Sequence, residues 1–217
     1  MTESQFLNRS AEDLEFLEQS FNWLYGTVNG KAISKIAKAE HAGNEPFKEV
    51  ILYGELPFQT WIEIVEQAQP KKDGVFFDLG SGTGRIAMQS LLIHDFQKIV
   101  GVELLQPLHD KALEVRENYE RQIKAQISDI VEGRELQLIQ QDFFNTDLHE
   151  ADFIFMNHPF KDRGSFQPLE EKFLNELKRG TKIVTIIRKL NNPAFKHLHS
   201  QKYTFSWGEA TTHFHEV

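Results

Sequence analysis

The segment Val75-Phe76-Phe77-Asp78-Leu79-Gly80-Ser81-Gly82-Thr83-Gly84-Arg85 constrains this chain more than any other. A short, mostly apolar run reads as a buried strand. Three glycines at alternate positions follow, and Arg85 to His94 then takes up helical spacing. Glycines let a backbone turn sharply and approach a ligand closely, and the start of the next helix presents amides without intrahelical partners. A strand, a glycine turn and a helix in that order open a nucleotide-type site at the edge of a parallel sheet.

The rest of the chain continues the alternation. Apolar runs at Ile99 to Glu103, Leu136 to Gln140, Phe153 to Met156 and Lys182 to Ile187 are separated by helical stretches at Pro107 to Ile130 and Leu169 to Lys178. Such alternation predicts an α/β fold with a mostly parallel sheet and helices on both faces. Lys202 to Trp207 and Ala210 to Glu216, separated by Gly208 and Glu209, have no helix between them and predict a C-terminal antiparallel hairpin. Upstream, Phe58 to Gln69 reads as a helix ended by Pro70. Ser10 with Asp13 signals a helix start, and Leu14, Leu17, Phe21 and Leu24 recur at helical spacing. A second helix is expected from Lys31 to His41, stopped by Ala42, Gly43, Asn44 and Pro46. Residues 1–48 thus form a small helical extension, and 49–217 a ligand-binding domain.

Composition excludes several function classes. With no cysteine among 217 residues there is no disulfide, thiolate metal site or cysteine nucleophile. No stretch approaches the roughly 18 apolar residues of a membrane span, and the first residues lack a signal-peptide core, so a cytoplasmic protein without membrane partners is expected. The formal net charge is −8, and no basic block occurs, which argues against a nucleic-acid partner. His197 with His199, and His213 with His215, have the i, i+2 spacing that puts each pair on one face of a strand. No third ligand is implied, so no metal site is expected.

Two details discriminate among nucleotide-like ligands. A dinucleotide fingerprint needs glycine where this chain has Arg85, and a phosphate sits poorly beside Asp78. A phosphate-free, cationic adenosine compound is compatible with both. The pattern D-x-G-x-G-x-G, carried by Asp78, Gly80, Ser81, Gly82 and Gly84, resembles motif I of the class I, seven-stranded, Rossmann-like methyltransferases. That resemblance implies S-adenosylmethionine as cofactor. It also implies that Glu103, at the tip of the second strand, accepts bonds from the ribose hydroxyls, and that Asp142 and Phe143 bind adenine. Asn157-His158-Pro159-Phe160 follows the fourth strand, where the methyl group of such a ligand would lie. Asn157 can position a neutral amine there; His158 either helps to remove a proton or packs beside Pro159.

Upstream, Glu45-Pro46-Phe47 and Leu52-Tyr53-Gly54-Glu55-Leu56-Pro57-Phe58 resemble the loop preceding the core in histone-lysine methyltransferases of the disruptor-of-telomeric-silencing type. In those enzymes a Y-G-E segment folds over the cofactor, which implies that Tyr53 and Glu55 bind it, with Glu55 near its methionine end. Phe205-Ser206-Trp207-Gly208 resembles their terminal hairpin, where an aromatic residue lines the lysine channel. The resemblance implies N-methylation of a protein lysine with Asn157, Phe160 and Trp207 around the reacting groups. The acidic total and the missing basic extension favour a non-histone substrate. Two other readings stay open. Asn157-His158-Pro159-Phe160 also resembles the N-P-P-F motif of enzymes that methylate amino groups of nucleic-acid bases or glutamine amides, and a cofactor-binding module without catalysis would show the same acids.

Overall fold

The computed structural model describes residues 7, 9–40, 54–157 and 166–217. Expectations for His41 to Pro46, for Tyr53 and for His158, Pro159 and Phe160 fall outside the described residues.

Helix α1 (Ala11–Tyr25) starts where Ser10 and Asp13 predict. Ser10 Oγ accepts from the Asp13 amide at 3.0 Å, and the Asp13 carboxylate accepts from the Ser10 amide at 3.0 Å, a reciprocal cap that satisfies two amides otherwise left open. Helices α2 (Gly30–Glu40) and α3 (Phe58–Ala68) follow; α3 closes on Gln69 in a left-handed conformation, and Pro70 cannot continue it.

The sheet comprises β1 (Val75–Leu79), β2 (Lys98–Glu103), β3 (Glu135–Gln140), β4 (Phe153–Asn157), β5 (Lys182–Ile186), β6 (Lys196–Phe205) and β7 (Gly208–Glu216). Their order is β3-β2-β1-β4-β5-β7-β6; the first five are parallel, β7 is antiparallel to β5, and β6 is antiparallel to β7. The crossovers are α4 (Arg85–Ile93), α5 (Gln106–Gln122), a short α6 (Ser128–Val131) and α7 (Phe166–Glu176). The order reverses between β1 and β4, so connections leave these two neighbours in opposite directions and open a crevice at their carboxyl ends.

Alternation along the strands decides which face each residue serves. Phe76, Ile99, Phe153 and Phe155 join the core beneath α1, α3 and α4, whereas Phe77, Val100, Val102, Ile154 and Met156 pack with Leu169 and Phe173 of α7. Asp78 follows Phe76 by two, Glu103 follows Ile99 by four and Asn157 follows Phe155 by two. All three therefore project to the α1, α3 and α4 side. On that side Trp61 lies edge-on to Phe155, with centroids 4.8 Å apart, and its indole N–H donates to Ser90 Oγ at 3.0 Å. Leu14, Leu17, Phe21 and Leu24 are buried in the same core, so α1 packs against the sheet domain.

Two expectations are corrected. The helix predicted from Pro107 to Ile130 stops at Gln122, and the chain turns through residues 124–126 before α6. Ile123, Ile127 and Val131 recur at helical spacing across this break, and all three are buried. The hairpin turn lies at Ser206-Trp207, two residues before Gly208-Glu209, because Phe205 pairs with Gly208. Strand β6 also begins at Lys196, well before Lys202.

Candidate active site

The glycine turn is built by backbone bonds to the neighbouring strand. The amides of Gly80 and Ser81 both donate to Val102 O, at 2.9 and 3.0 Å, and the Gly84 amide donates to Ser81 O at 2.8 Å. Gly80, Gly82 and Gly84 have φ of 82, 57 and 76°, where a side chain would be strained. Glu103 clamps this turn from β2: Oε2 accepts from the Gly82 amide and Oε1 from the Leu105 amide, both at 2.8 Å.

Asp78 is 2% exposed, and its Oδ2 has no hydrogen-bond partner. Burial, then the neighbouring Glu103 charge, pushes its carboxyl up to about 8, against the downward pull of the Ala87 amide in the first turn of α4. Burial also raises Glu103, against the amides of Leu105, Gly82 and Leu104. A carboxylate at a strand end is ordinarily solvent-exposed, and neither of these two is. The crevice walls enclose them, leaving Glu103 6% exposed.

The cavity above these groups is lined by Glu55, Asp78, Gly80, Ser81, Gly82, Glu103, Asp142, Phe143 and Asn157, all singled out in the sequence. Gly84 does not line it; a Cβ there would sit 3.2 Å from Ala112 Cβ and 3.7 Å from Tyr25 Oη, so this glycine packs against α5 and α1. Asp142 accepts from the Phe144 amide at 2.9 Å, which holds Phe143 and Phe144 in a short turn at the cavity edge. Sequence reasoning missed Leu56, Ile86, Leu104, Leu108 and Phe155 as an apolar wall. Phe155 was accessible from alternation with Asn157. It also missed Arg85, whose Nε lies 3.7 Å from Glu55 Oε2.

Three distant segments meet at one end of this cavity. Asn157 Nδ2 donates to Gly54 O at 3.2 Å. The Glu55 amide donates to Ser206 Oγ and the Ser206 amide to Glu55 O, each at 3.2 Å. Trp207 packs on Gly54, where a Cβ would come within 2.1 Å of its Cζ3, so any larger residue there would displace the indole. Trp207 stacks on Phe205 with centroids 4.7 Å apart, and it lines a second groove, between the Gly26–Lys31 link and the Ser206-Trp207 turn. Gly54 and Glu55 wall both spaces.

His213 and His215 share one face of β7, as their spacing suggests, but His197 and His199 do not share one on β6. A register shift between His197 and His199 turns His199 to the opposite face, where it stacks on Phe214 with centroids 4.2 Å apart. His197 instead joins His213 and His215, and Ser200 Oγ lies 2.8 Å from both His197 Nε2 and His213 Nδ1. Asp147, His149 and Glu176 bring ligand-type atoms within 4.8 Å of one another. They form a surface network in which Glu176 accepts from the Leu148 amide and pairs with Lys172.

An enclosed space with four acids and one arginine among its described lining residues favours a cation and disfavours a pyrophosphate. A buried carboxylate with an unpartnered oxygen is a specific demand for a positively charged or donor ligand. Comparison with known proteins agrees. Residues 12–212 match the family model described as histone methylation protein DOT1. The chain is 32% identical over 139 residues to a histone-lysine N-methyltransferase, H3 lysine-79 specific, of Cryptococcus neoformans, covering 62% of this chain and 21% of that protein. It is 29% identical over 133 residues to a protein-lysine N-methyltransferase of Saccharolobus islandicus, covering 61% of this chain and 74% of that protein. The chain thus spans about a fifth of the length of its Cryptococcus relative. Among solved structures, an RNA methyltransferase from Salinibacter ruber in complex with S-adenosyl-L-homocysteine aligns with a TM-score of 0.55 at 22% identity, over 73% of this chain and 90% of that one. The rRNA methyltransferase aviRa from Streptomyces viridochromogenes aligns with a TM-score of 0.59 at 15% identity, over 76% and 86%. These two likenesses speak to the fold alone. No helix among the described residues is long and apolar enough to cross a membrane.

Proposed function

Starting from a chain that belongs to the DOT1 histone methylation family, and is therefore an S-adenosylmethionine-dependent methyltransferase, we propose that it methylates the ε-amine of lysine on a protein substrate. The observation that carries this reading is the meeting of Gly54-Glu55, Asn157 and Ser206-Trp207 at one end of an acidic cavity. When bound, S-adenosylmethionine supplies an electrophilic methyl group on a sulfonium. The residues present suit its parts: Glu103 the ribose hydroxyls, Asp142 and Phe143 the adenine, Asp78 and Glu55 the cationic methionine portion, with Gly80, Ser81 and Gly82 allowing close backbone approach.

Little acid or base chemistry is required. A neutral amine would have to be held in line with the methyl group that the bound cofactor would supply, and the proton lost by the methylated amine would pass to solvent. Asn157, fixed by its bond to Gly54 O, orients the amine, and the exposed face of Trp207 offers an aromatic wall to a lysine stem. The carboxylates of Asp78 and Glu55 would hold the positive charge of the bound cofactor at this end of the cavity. The net charge of −8 supports a non-histone protein as partner more than a nucleic acid or a nucleosome. The test is transfer of labelled methyl from S-adenosylmethionine to lysate fractions treated beforehand with nuclease or protease. Label recovered as methyl-lysine after hydrolysis is expected. Label sensitive to nuclease, or cofactor binding without transfer, would overturn the reading.

A further inference from the structure

Arg85 is the one cation among the described residues that line the acidic cavity. It occupies the first position of α4, where the helix end is already positive, and it faces the space meant for a cation. On charge alone it is misplaced. Two contacts account for it. Its guanidinium carbon lies 4.9 Å from the ring centroid of Phe21 and 4.6 Å from that of Tyr25, both on α1. Its Nε lies 3.7 Å from Glu55 Oε2, with the Arg85 side chain 18% exposed and that of Glu55 27% exposed. Tyr25 is itself fixed, because its hydroxyl donates to Thr83 O, within the glycine turn, at 3.1 Å.

We propose that Arg85 is a positioning residue: the aromatic faces of α1 hold its guanidinium, and the guanidinium holds Glu55 against the end of the cavity that receives the cofactor's methionine portion. This rests on the reading of Glu55 given above. A planar, delocalised guanidinium suits the task because it can stack on two rings while its edge meets a carboxylate. The N-terminal helix is then part of the cofactor site, although none of its residues lines the cavity. Displacing α1 would be felt at Glu55.

The two roles open to Arg85 differ in sign. If it were only an adverse charge, its removal would strengthen binding of the cationic cofactor. If it positions Glu55, its removal weakens binding and erodes the preference for S-adenosylmethionine over the uncharged-sulfur product, S-adenosylhomocysteine. The experiment titrates both compounds by calorimetry into Arg85→Met, Glu55→Gln and the double variant. Each single change is expected to weaken S-adenosylmethionine binding about tenfold and to lower its preference over the product, with no further loss in the double variant. Phe21→Leu, which leaves every charge in place, is expected to reproduce a smaller loss, and Arg85→Lys to restore part of it. These two variants also carry the test should Arg85→Met fail to fold. Tighter S-adenosylmethionine binding by Arg85→Met, equal weakening for both compounds, or additive losses would overturn the positioning role while leaving Glu55 in the site. Unchanged binding by Glu55→Gln would remove Glu55 from the cofactor site and the proposal with it.

Discussion

Asp78→Asn isolates a strongly perturbed charge at the floor of the cavity. The carboxyl is enclosed, has an unpartnered oxygen and is pushed up to about 8 by burial and by Glu103. At pH 7 such a group is about 90% protonated in the ligand-free protein, and ionising it costs about 1.4 kcal/mol for the one unit between pH and pKa. A cationic ligand favours the ionised form. Binding at pH 7 should therefore release about 0.9 proton from this group, and affinity should rise as pH increases from 6, about tenfold per unit, before levelling above about 8. The folded value lies above the unfolded one, so the same group withdraws stability from the ligand-free protein as pH rises from about 4 through about 8. Asparagine keeps the shape and removes the ionisation. Calorimetry of S-adenosylmethionine binding in two buffers of different ionisation enthalpy measures the protons released. The variant is expected to bind at least tenfold more weakly at pH 9, to release about one proton fewer at pH 7, and to unfold at a higher temperature than the parent in ligand-free buffer above pH 8. Equal proton release by parent and variant would refute the assignment of the charge to Asp78.

Three further outcomes are expected. Glu103→Gln keeps one acceptor where two amides, those of Gly82 and Leu105, need one each; it should cost about 2 kcal/mol, or roughly 4–8 °C in Tm by thermal unfolding, besides weakening cofactor binding. Asn157→Ala should leave S-adenosylmethionine affinity within about threefold and lower single-turnover methyl transfer on the order of 100-fold, because the amine loses its guide and Gly54 O its donor. Asp95→Asn should destabilise by about 3 kcal/mol in denaturant titration, since Arg9 and Arg134 both pair with this carboxylate and are themselves largely buried. Burial raises Asp95, but the Arg9 hydrogen bond and the charges of Arg9, Arg134 and Lys72 outweigh it and hold the group below its ordinary value. That stability is complete above the unfolded carboxylate value near 4 and drains as pH falls through the folded one, so acid unfolding should become less steep in the variant.

Much of the central sheet was legible because buried parallel strands appear as short continuous apolar runs. Strand β1 matches its predicted bounds, and β2 and β3 begin one residue earlier than expected. Strand β6 was missed over Lys196 to Gln201 for the opposite reason. It is an edge strand paired only with β7, its exposed residues are polar, and a register shift breaks its alternation. Displacing the turn by two residues then put Trp207 in the loop itself, where it reaches Gly54. In the site, acids at strand tips can be read from sequence, but their enclosure cannot, since the walls come from Leu56, Leu104, Leu108 and Phe144 in segments far apart in the chain. The coupling of Arg85 to Phe21, Tyr25 and Glu55 was invisible for the same reason; it joins residues up to 64 positions apart.

A crystal structure of the full chain with S-adenosylhomocysteine tests the account most directly. The ribose hydroxyls should lie within hydrogen-bond distance of Glu103, the adenine against Phe143 with its amine toward Asp142, and the sulfur at the end bounded by Asn157 and Gly54. A ligand lying elsewhere, or a sulfur pointing away from Trp207 into a closed wall, would contradict it.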